Sequence, residues 1–250
     1  MKKTTILEVC ANSVASAIAA QEGGAFRVEL CENLNEGGTT PSYGAIATAR
    51  KLIAIQLNIL IRPRSGDFLY TDLEFEVMKT DIKLAIQAKC DGIVVGILNA
   101  DGNIDVPRCT ELVELARQAG LSATFHRAFD MCADQFKALE QIIDMGFDRI
   151  LTSGGKSTAI EGARRIAELV EKAAGRIIIM PGSGINETNV ADLVHFTGTT
   201  EIHSSAKVHI PSKMIYKNDH IILDDLSGDE YSMDITDARH VSAIINAANG

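Results

Sequence analysis

Basic residues are in short supply in this 250-residue sequence: 24 Lys and Arg stand against 33 Asp and Glu, a formal net charge of −9. General affinity for nucleic acid or for an anionic membrane rewards clustered Lys and Arg. Neither nucleic acid nor membrane is therefore an expected partner, whereas a small anionic molecule in a local pocket stays compatible with this charge. No apolar run approaches the roughly 20 residues that a membrane helix requires. Met1-Lys2-Lys3 opens as a secretory leader does, but Glu8 and Asn12 interrupt the apolar segment that would have to follow. The segment reads instead as a first strand, and the expected location is cytoplasmic. Cysteine is sparse and odd in number (Cys10, Cys31, Cys90, Cys109 and Cys132), widely spaced and without a CxxC pair. That argues against a disulfide framework and a structural zinc site; each thiol is expected reduced and mostly buried. No GxGxxG follows the first strand, which weakens a doubly wound dinucleotide-binding sheet.

What is present is a repeat. The chain is 46% hydrophobic and 23% charged, a globular composition. Short β-branched runs alternate with helical-period stretches throughout. Strands are expected at Ile6–Cys10, Arg27–Cys31, Gln56–Arg62, Gly92–Leu98, Ser122–Phe129, Arg149–Ser153, Ile177–Met180 and Glu201–Ser204. Helices are expected at Ser13–Gln21, Ser42–Lys51, Leu73–Ala88, Val106–Ala119, Asp134–Met145, Thr158–Ala173, Asn189–His195 and Thr236–Ala248. Eight βα units of about 30 residues predict a (β/α)₈ TIM barrel, one domain over residues 1–250, with its site at the C-terminal mouth of the strands. Glycines at 23, 24, 120, 146 and 175 fall where helices should stop in a left-handed cap. The stretch from Lys207 to about residue 235 breaks the rhythm and carries Ser-Gly-Asp turn chemistry. It reads either as a solvated excursion packing under apolar residues such as Ile221 to Leu223, or as a lid or subunit contact.

Side chains alternate across a strand, so polar parity marks the barrel interior. The expected inward set includes Glu8 and Cys10; Arg27, Glu29 and Cys31; Gln56, Asn58, Leu60 and Arg62; Thr124 and His126; and Glu201 and His203. Burying charge is costly unless it is paired. Arg27 and Glu201, near the strand starts, are expected to pair at the barrel floor. Glu8, Glu29, Arg62, His126, Asp130 and His203 are the candidates for acid–base work, with an internally satisfied polar plug as the alternative. Glycine-rich loops end strands six and seven, and Ser204 and Ser205 end strand eight; loops after strands seven and eight of such barrels often bind phosphate. Ser153, Gly154, Gly182, Gly184, Ser204 and Ser205, with Arg64 and Arg127, form the candidate anion-binding set; the alternatives are that Arg127 and Asp130 pair with one another and that the glycines serve tight turns.

In order along the chain, the blocks Leu7-Glu8-Val9-Cys10 with Asn12-Ser13, Arg27-Val28-Glu29-Leu30-Cys31, Glu36-Gly37-Gly38-Thr39-Thr40-Pro41-Ser42 and Ile61-Arg62-Pro63-Arg64 with Gly66-Asp67-Phe68 resemble the CutC family. So do Thr124-Phe125-His126-Arg127-Ala128-Phe129-Asp130, Leu151-Thr152-Ser153-Gly154, Met180-Pro181-Gly182 with Gly184-Ile185, and Glu201-Ile202-His203 with Ser205-Ala206. The resemblance spans about residues 5 to 210. It implies a TIM barrel and a cytoplasmic role in copper homeostasis, with Cu(I) as the metal; soft thiolates suit Cu(I) and imidazole assists, which makes Cys10 and Cys31 the candidate ligands. Two other readings stand beside it: an enzyme acting on a small anionic or phosphorylated metabolite, and a binding barrel without turnover. Assembly into a homo-oligomer is compatible with all three.

Overall fold

The computed structural model describes residues 4–218, 220–221 and 230–250. Eight parallel strands alternate with eight helices: β1 (Ile6–Ala11), α1 (Val14–Glu22), β2 (Arg27–Leu30), α2 (Tyr43–Leu52), β3 (Gln56–Leu60), α3 (Asp72–Gln87), β4 (Gly92–Val95), α4 (Val106–Gln118), β5 (Ser122–Phe125), α5 (Gln135–Met145), β6 (Arg149–Thr152), α6 (Ala163–Ala173), β7 (Ile178–Pro181), α7 (Val190–Thr197), β8 (Glu201–Ser204) and, after an excursion, α8 (Ala238–Asn249). The ladder runs from β7 back to β1 and on to β8. β7 and β8 lie side by side and complete the ring. Two hydroxyls stitch that seam: Thr199 Oγ1 donates to the Ile179 carbonyl (2.6 Å) and Ser204 Oγ to the Ile185 carbonyl (2.7 Å). This is the TIM-barrel architecture predicted from the repeat.

Strand parity explains the layers. Leu7, Val9, Val28, Leu30, Leu57, Ile59, Ile93, Phe125, Ile150 and Ile202 point outward and are buried under the helices. Most helix starts are capped locally, α6 and α7 excepted; Thr71 and Glu74 form a reciprocal capping box before α3, and Asp134 accepts from two backbone N–H groups at the start of α5.

Several element ends differ from expectation, each for a local reason. β3 stops at Leu60, because the Arg62 amide turns to Thr40 Oγ1. β4 stops at Val95 instead of Leu98, and Leu98 pairs with Ile104 in an isolated bridge. β5 stops at Phe125 instead of Phe129, because His126 caps a short 3₁₀ turn over Arg127–Met131. α6 begins at Ala163 rather than Thr158, since the preceding loop folds back with Gly162 against the Ser153 carbonyl. Gly24, Gly120, Gly146 and Gly175 have positive φ, but Gly23 does not (φ −75°). Gly23 is needed for close packing instead: a Cβ there would lie 2.5 Å from Val241 Cβ on α8.

The excursion after β8 forms an antiparallel ribbon of β9 (Lys207–Pro211) and β10 (Ser232–Thr236), so Thr236 belongs to a strand and α8 starts at Ala238. Ile221 is half exposed; Ile222, Leu223 and the Ser-Gly-Asp turn lie outside the described residues, as do Met1 to Lys3. Among the described residues, no helix is long and apolar enough to cross a membrane.

Candidate functional site

The barrel floor is an ion network. Arg27 is fully buried; its Nε meets Glu8 Oε2 and its Nη2 meets Glu201 Oε2, which also accepts from Arg149 Nε at 2.8 Å. The pairing expected of Arg27 with Glu201 is thus present, extended by Glu8 and Arg149. Burial alone would raise the Glu8 carboxyl, but Arg27 and His203 outweigh it and hold it at about 2. Glu8 Oε1 in turn lies 2.8 Å from His203 Nδ1.

One level higher, at the ends of β1 and β2, sit Cys10, Glu29 and Cys31. Cys10 Sγ lies 3.5 Å from Cys31 Sγ and 3.5 Å from Glu29 Oε1. Burial pushes Glu29 up to about 7, and Glu8 adds to this while His203 and the Cys10 thiol oppose it. Its Oε2 has no hydrogen-bond partner among the described residues. Contact with Cys31, then burial, push the Cys10 thiol well above its usual range. Burial would lower His203, but its hydrogen bond to Glu8 and the charge of Glu29 leave it raised. Ligand atoms of Glu8, Glu29 and His203 lie within 4.8 Å of one another, as do those of Cys10, Glu29 and Cys31.

On the opposite wall, Arg62, Phe68 and His126 stack. The Arg62 guanidinium is 5.2 Å from the Phe68 ring centre, and the Phe68 and His126 rings are 5.0 Å apart. Arg62 donates to the carbonyls of Glu36, Gly38 and Gly66 at 2.6–2.9 Å, and its buried Nε has no partner among the described residues. Burial, reinforced by Arg62, holds His126 down to about 3. Its Nδ1 accepts from the Ala128 amide (3.1 Å), so the neutral ring carries its proton on Nε2, which has no partner among the described residues. Gly96 makes room for this ring: a Cβ there would stand 2.7 Å from His126 Cε1 and Nδ1.

These walls enclose a mouth cavity of about 730 Å³. Cys10, Glu29, Arg62, His126 and His203 line it, as do Arg127, Gly184, Ser204 and Ser205. Glu8 lies beneath it and Cys31 behind Cys10. The remaining expected residues stand apart. Asp130 and Gly154 line a separate groove beside the starts of α5 and α6. Asp130 is saturated, accepting from Arg127 Nε, Thr152 Oγ1, Ser153 N and Oγ, and Gly155 N at 2.5–3.1 Å. Ser153 and Arg127 belong to the same cluster, joined at 2.8 Å. Arg64 pairs with Glu74 and Asp67 outside the mouth. Gly182 packs beneath the cavity against Leu151 and His203. Ser204 Oγ is committed to the seam, but among the described residues the amides of Gly184, Ile185 and Ser205 find no partner within the protein.

Three groups escaped the sequence reading. Arg149 alternates with the outward Ile150, so the parity used for strands one and two would have found it on β6. Gly96 and the rim residue His240, contributed by α8, carried no local signal because their neighbours come from distant segments.

Comparison with known proteins agrees with this geometry. The CutC family model matches residues 5–208. A CutC family protein of Parabacteroides distasonis is 50% identical over 96% of this chain and 99% of its own length. A human protein named "Copper homeostasis protein cutC homolog" is 46% identical over 96% of this chain and 87% of its own. The crystal structure of a putative copper homeostasis protein CutC from Streptococcus agalactiae superposes with a TM-score of 0.76 at 37% identity, over 80% of this chain and 98% of that one. With the family blocks on or beside seven of the eight barrel strands, β4 excepted, and several of their side chains lining one mouth, the chain belongs to the CutC family.

Proposed function

We propose that this chain takes part in copper homeostasis in the cytoplasm, as a Cu(I)-binding protein whose ligands are Cys10 and Cys31. The carrying observation is the buried Sγ–Sγ contact of 3.5 Å at the wall of the mouth cavity. The two sulfurs are soft donors, which select Cu(I) over the hard cations that prefer oxygen, while the Glu29 carboxylate beside them is a hard one. Reduced thiols suit a reducing compartment. The Cys10 thiol is held protonated, so metal entry must displace its proton, and Glu29 Oε1 is positioned to receive it. Anaerobic Cu(I) titration against a competing chelator tests this. Stoichiometric binding should weaken in the Cys10→Ser/Cys31→Ser double variant; unchanged affinity would remove the thiol site.

A second reading has its own observation: the cavity is far larger than an ion and within the range of small-molecule sites, about 300–1,000 Å³. In this reading the chain is an enzyme acting on a small anionic or phosphorylated metabolite. Glu29 and His203 exchange protons with the substrate, and the neutral His126 donates from Nε2. The Arg62 charge and the amides of Gly184 and Ser205 hold the anion. A thermal-shift screen with phosphorylated and carboxylated metabolites checks it. Stabilisation by at least one anion, lost in Arg62→Ala, is expected; no stabilisation by any would count against it.

A further inference from the structure

Cys10 and Cys31 differ in a way that the metal reading does not use. Cys10 lines the mouth cavity, whereas Cys31 is completely buried behind it. Their sulfurs touch, and Glu29 Oε1 accepts from Cys10 Sγ. The other thiols stand elsewhere: Cys109 donates to the Ile97 carbonyl and Cys132 to the Ala128 carbonyl. We propose that Cys10 and Cys31 are a reversible oxidation site, in which a small hydroperoxide entering the mouth oxidises Cys10 and Cys31 resolves the product to a disulfide.

The steps balance. Once Glu29 is ionised, above about pH 7, Cys10 passes its proton to that carboxylate, and its sulfur attacks one peroxide oxygen. The S–O bond forms as the O–O bond breaks, and the leaving oxygen takes up a proton as water or alcohol. Cys31 then loses its proton and attacks Cys10 Sγ; the S–S bond forms, the S–O bond breaks, and water leaves. Overall two thiols and one hydroperoxide give one disulfide, one alcohol (or water) and one water.

The placement of the pair sets the character of that bond. Cys10 is in register with Glu29, so Cys31 stands two residues further along the neighbouring strand. With parallel strands about 4.8 Å apart and about 3.3 Å of rise per residue, that diagonal exceeds the roughly 7 Å between Cα atoms that a disulfide bridges without backbone movement. Cys31 lies just beyond the end of β2 with its amide still held by the Ala11 carbonyl, so closing the bond strains this strand end. A bond closed under strain is easily reduced, as a reversible site requires. The disulfide would also remove both soft donors, a consequence that rests on the Cu(I) reading, although the oxidation itself does not.

Peptide mapping after exposure to hydrogen peroxide tests the proposal without copper. Trypsin cuts at Lys3, Arg27 and Arg50, so the disulfide would join peptides 4–27 and 28–50. That cross-link should form and disappear with a small dithiol. In Cys31→Ser, Cys10 should accumulate as a sulfenic acid trapped by dimedone; in Cys10→Ser, Cys31 should stay reduced. Over-oxidation of wild-type Cys10 without the cross-link, or equal oxidation of Cys31 when Cys10 is absent, would overturn it. A cross-link that forms but leaves Cu(I) affinity unchanged would support the oxidation site and overturn the thiol metal site.

Discussion

His203 Nδ1 lies 2.8 Å from Glu8 Oε1, while the other oxygen of the same carboxylate meets Arg27. One buried side chain thus joins the ion network of the barrel floor to an imidazole that faces the mouth. The charge on His203 is set in part from below, by Glu8, which raises it, and Arg27, which opposes.

Arg27 is the keystone of that floor. Arg27→Met should cost about 3–5 kcal/mol, because it leaves the buried Glu8 and Glu201 without their shared cation. Urea unfolding at neutral pH checks this, and a loss below about 1 kcal/mol would show that Arg149 alone compensates the floor.

Glu29 gives a pH signature. The folded protein keeps its proton up to about pH 7, whereas the unfolded chain releases it near 4.5. In that window the native state binds more protons, so the Glu29 contribution to stability falls as pH rises. Glu29→Gln removes this falling limb and also the Glu29 charge that raises His203, a loss of native-state proton binding that acts in the same direction. The stability of the variant relative to wild type should therefore grow between pH 4.5 and about 7. Guanidinium unfolding at the two ends measures the difference; a pH-independent one would contradict the assignment.

Gly96→Ala should displace His126. The added methyl would fall 2.7 Å from the ring and 3.1 Å from Ala128 Cβ, in a wall with little room to yield. Overpacking of this kind costs about 1–3 kcal/mol. The thermal midpoint should drop, and the Ala128 amide resonance should shift as its bond to His126 Nδ1 breaks.

Asp130→Asn separates a loop anchor from a chemical group. The carboxylate gathers five donors and holds the loop after β6. Losing a charge-assisted bond there should cost about 1.5–3 kcal/mol, while Cu(I) affinity stays as in wild type. A large fall in affinity with unchanged stability would return Asp130 to the site.

The barrel itself was legible because its signals are local. Period-two runs, helix caps and stop glycines each act within a few residues, and their eightfold recurrence admits one closed solution. Parity likewise places Glu8, Glu29 and His203 inside the barrel, where they lie buried. Element ends were less legible where a distant group captured the chain, as Thr40 captures the Arg62 amide and Gly162 approaches Ser153.

By itself, then, the order of residues determined the repeat, the inward set and the family. Only the tertiary structure decided which inward residues meet. It gave Glu8 to Arg27 and His203, closed Arg62 around three carbonyls, drew Asp130 away from the mouth, and set the Cys10 and Cys31 sulfurs in contact. Alternation along a strand is a property of one segment, whereas partnership across a barrel depends on strand register and on space left by residues far away in the chain.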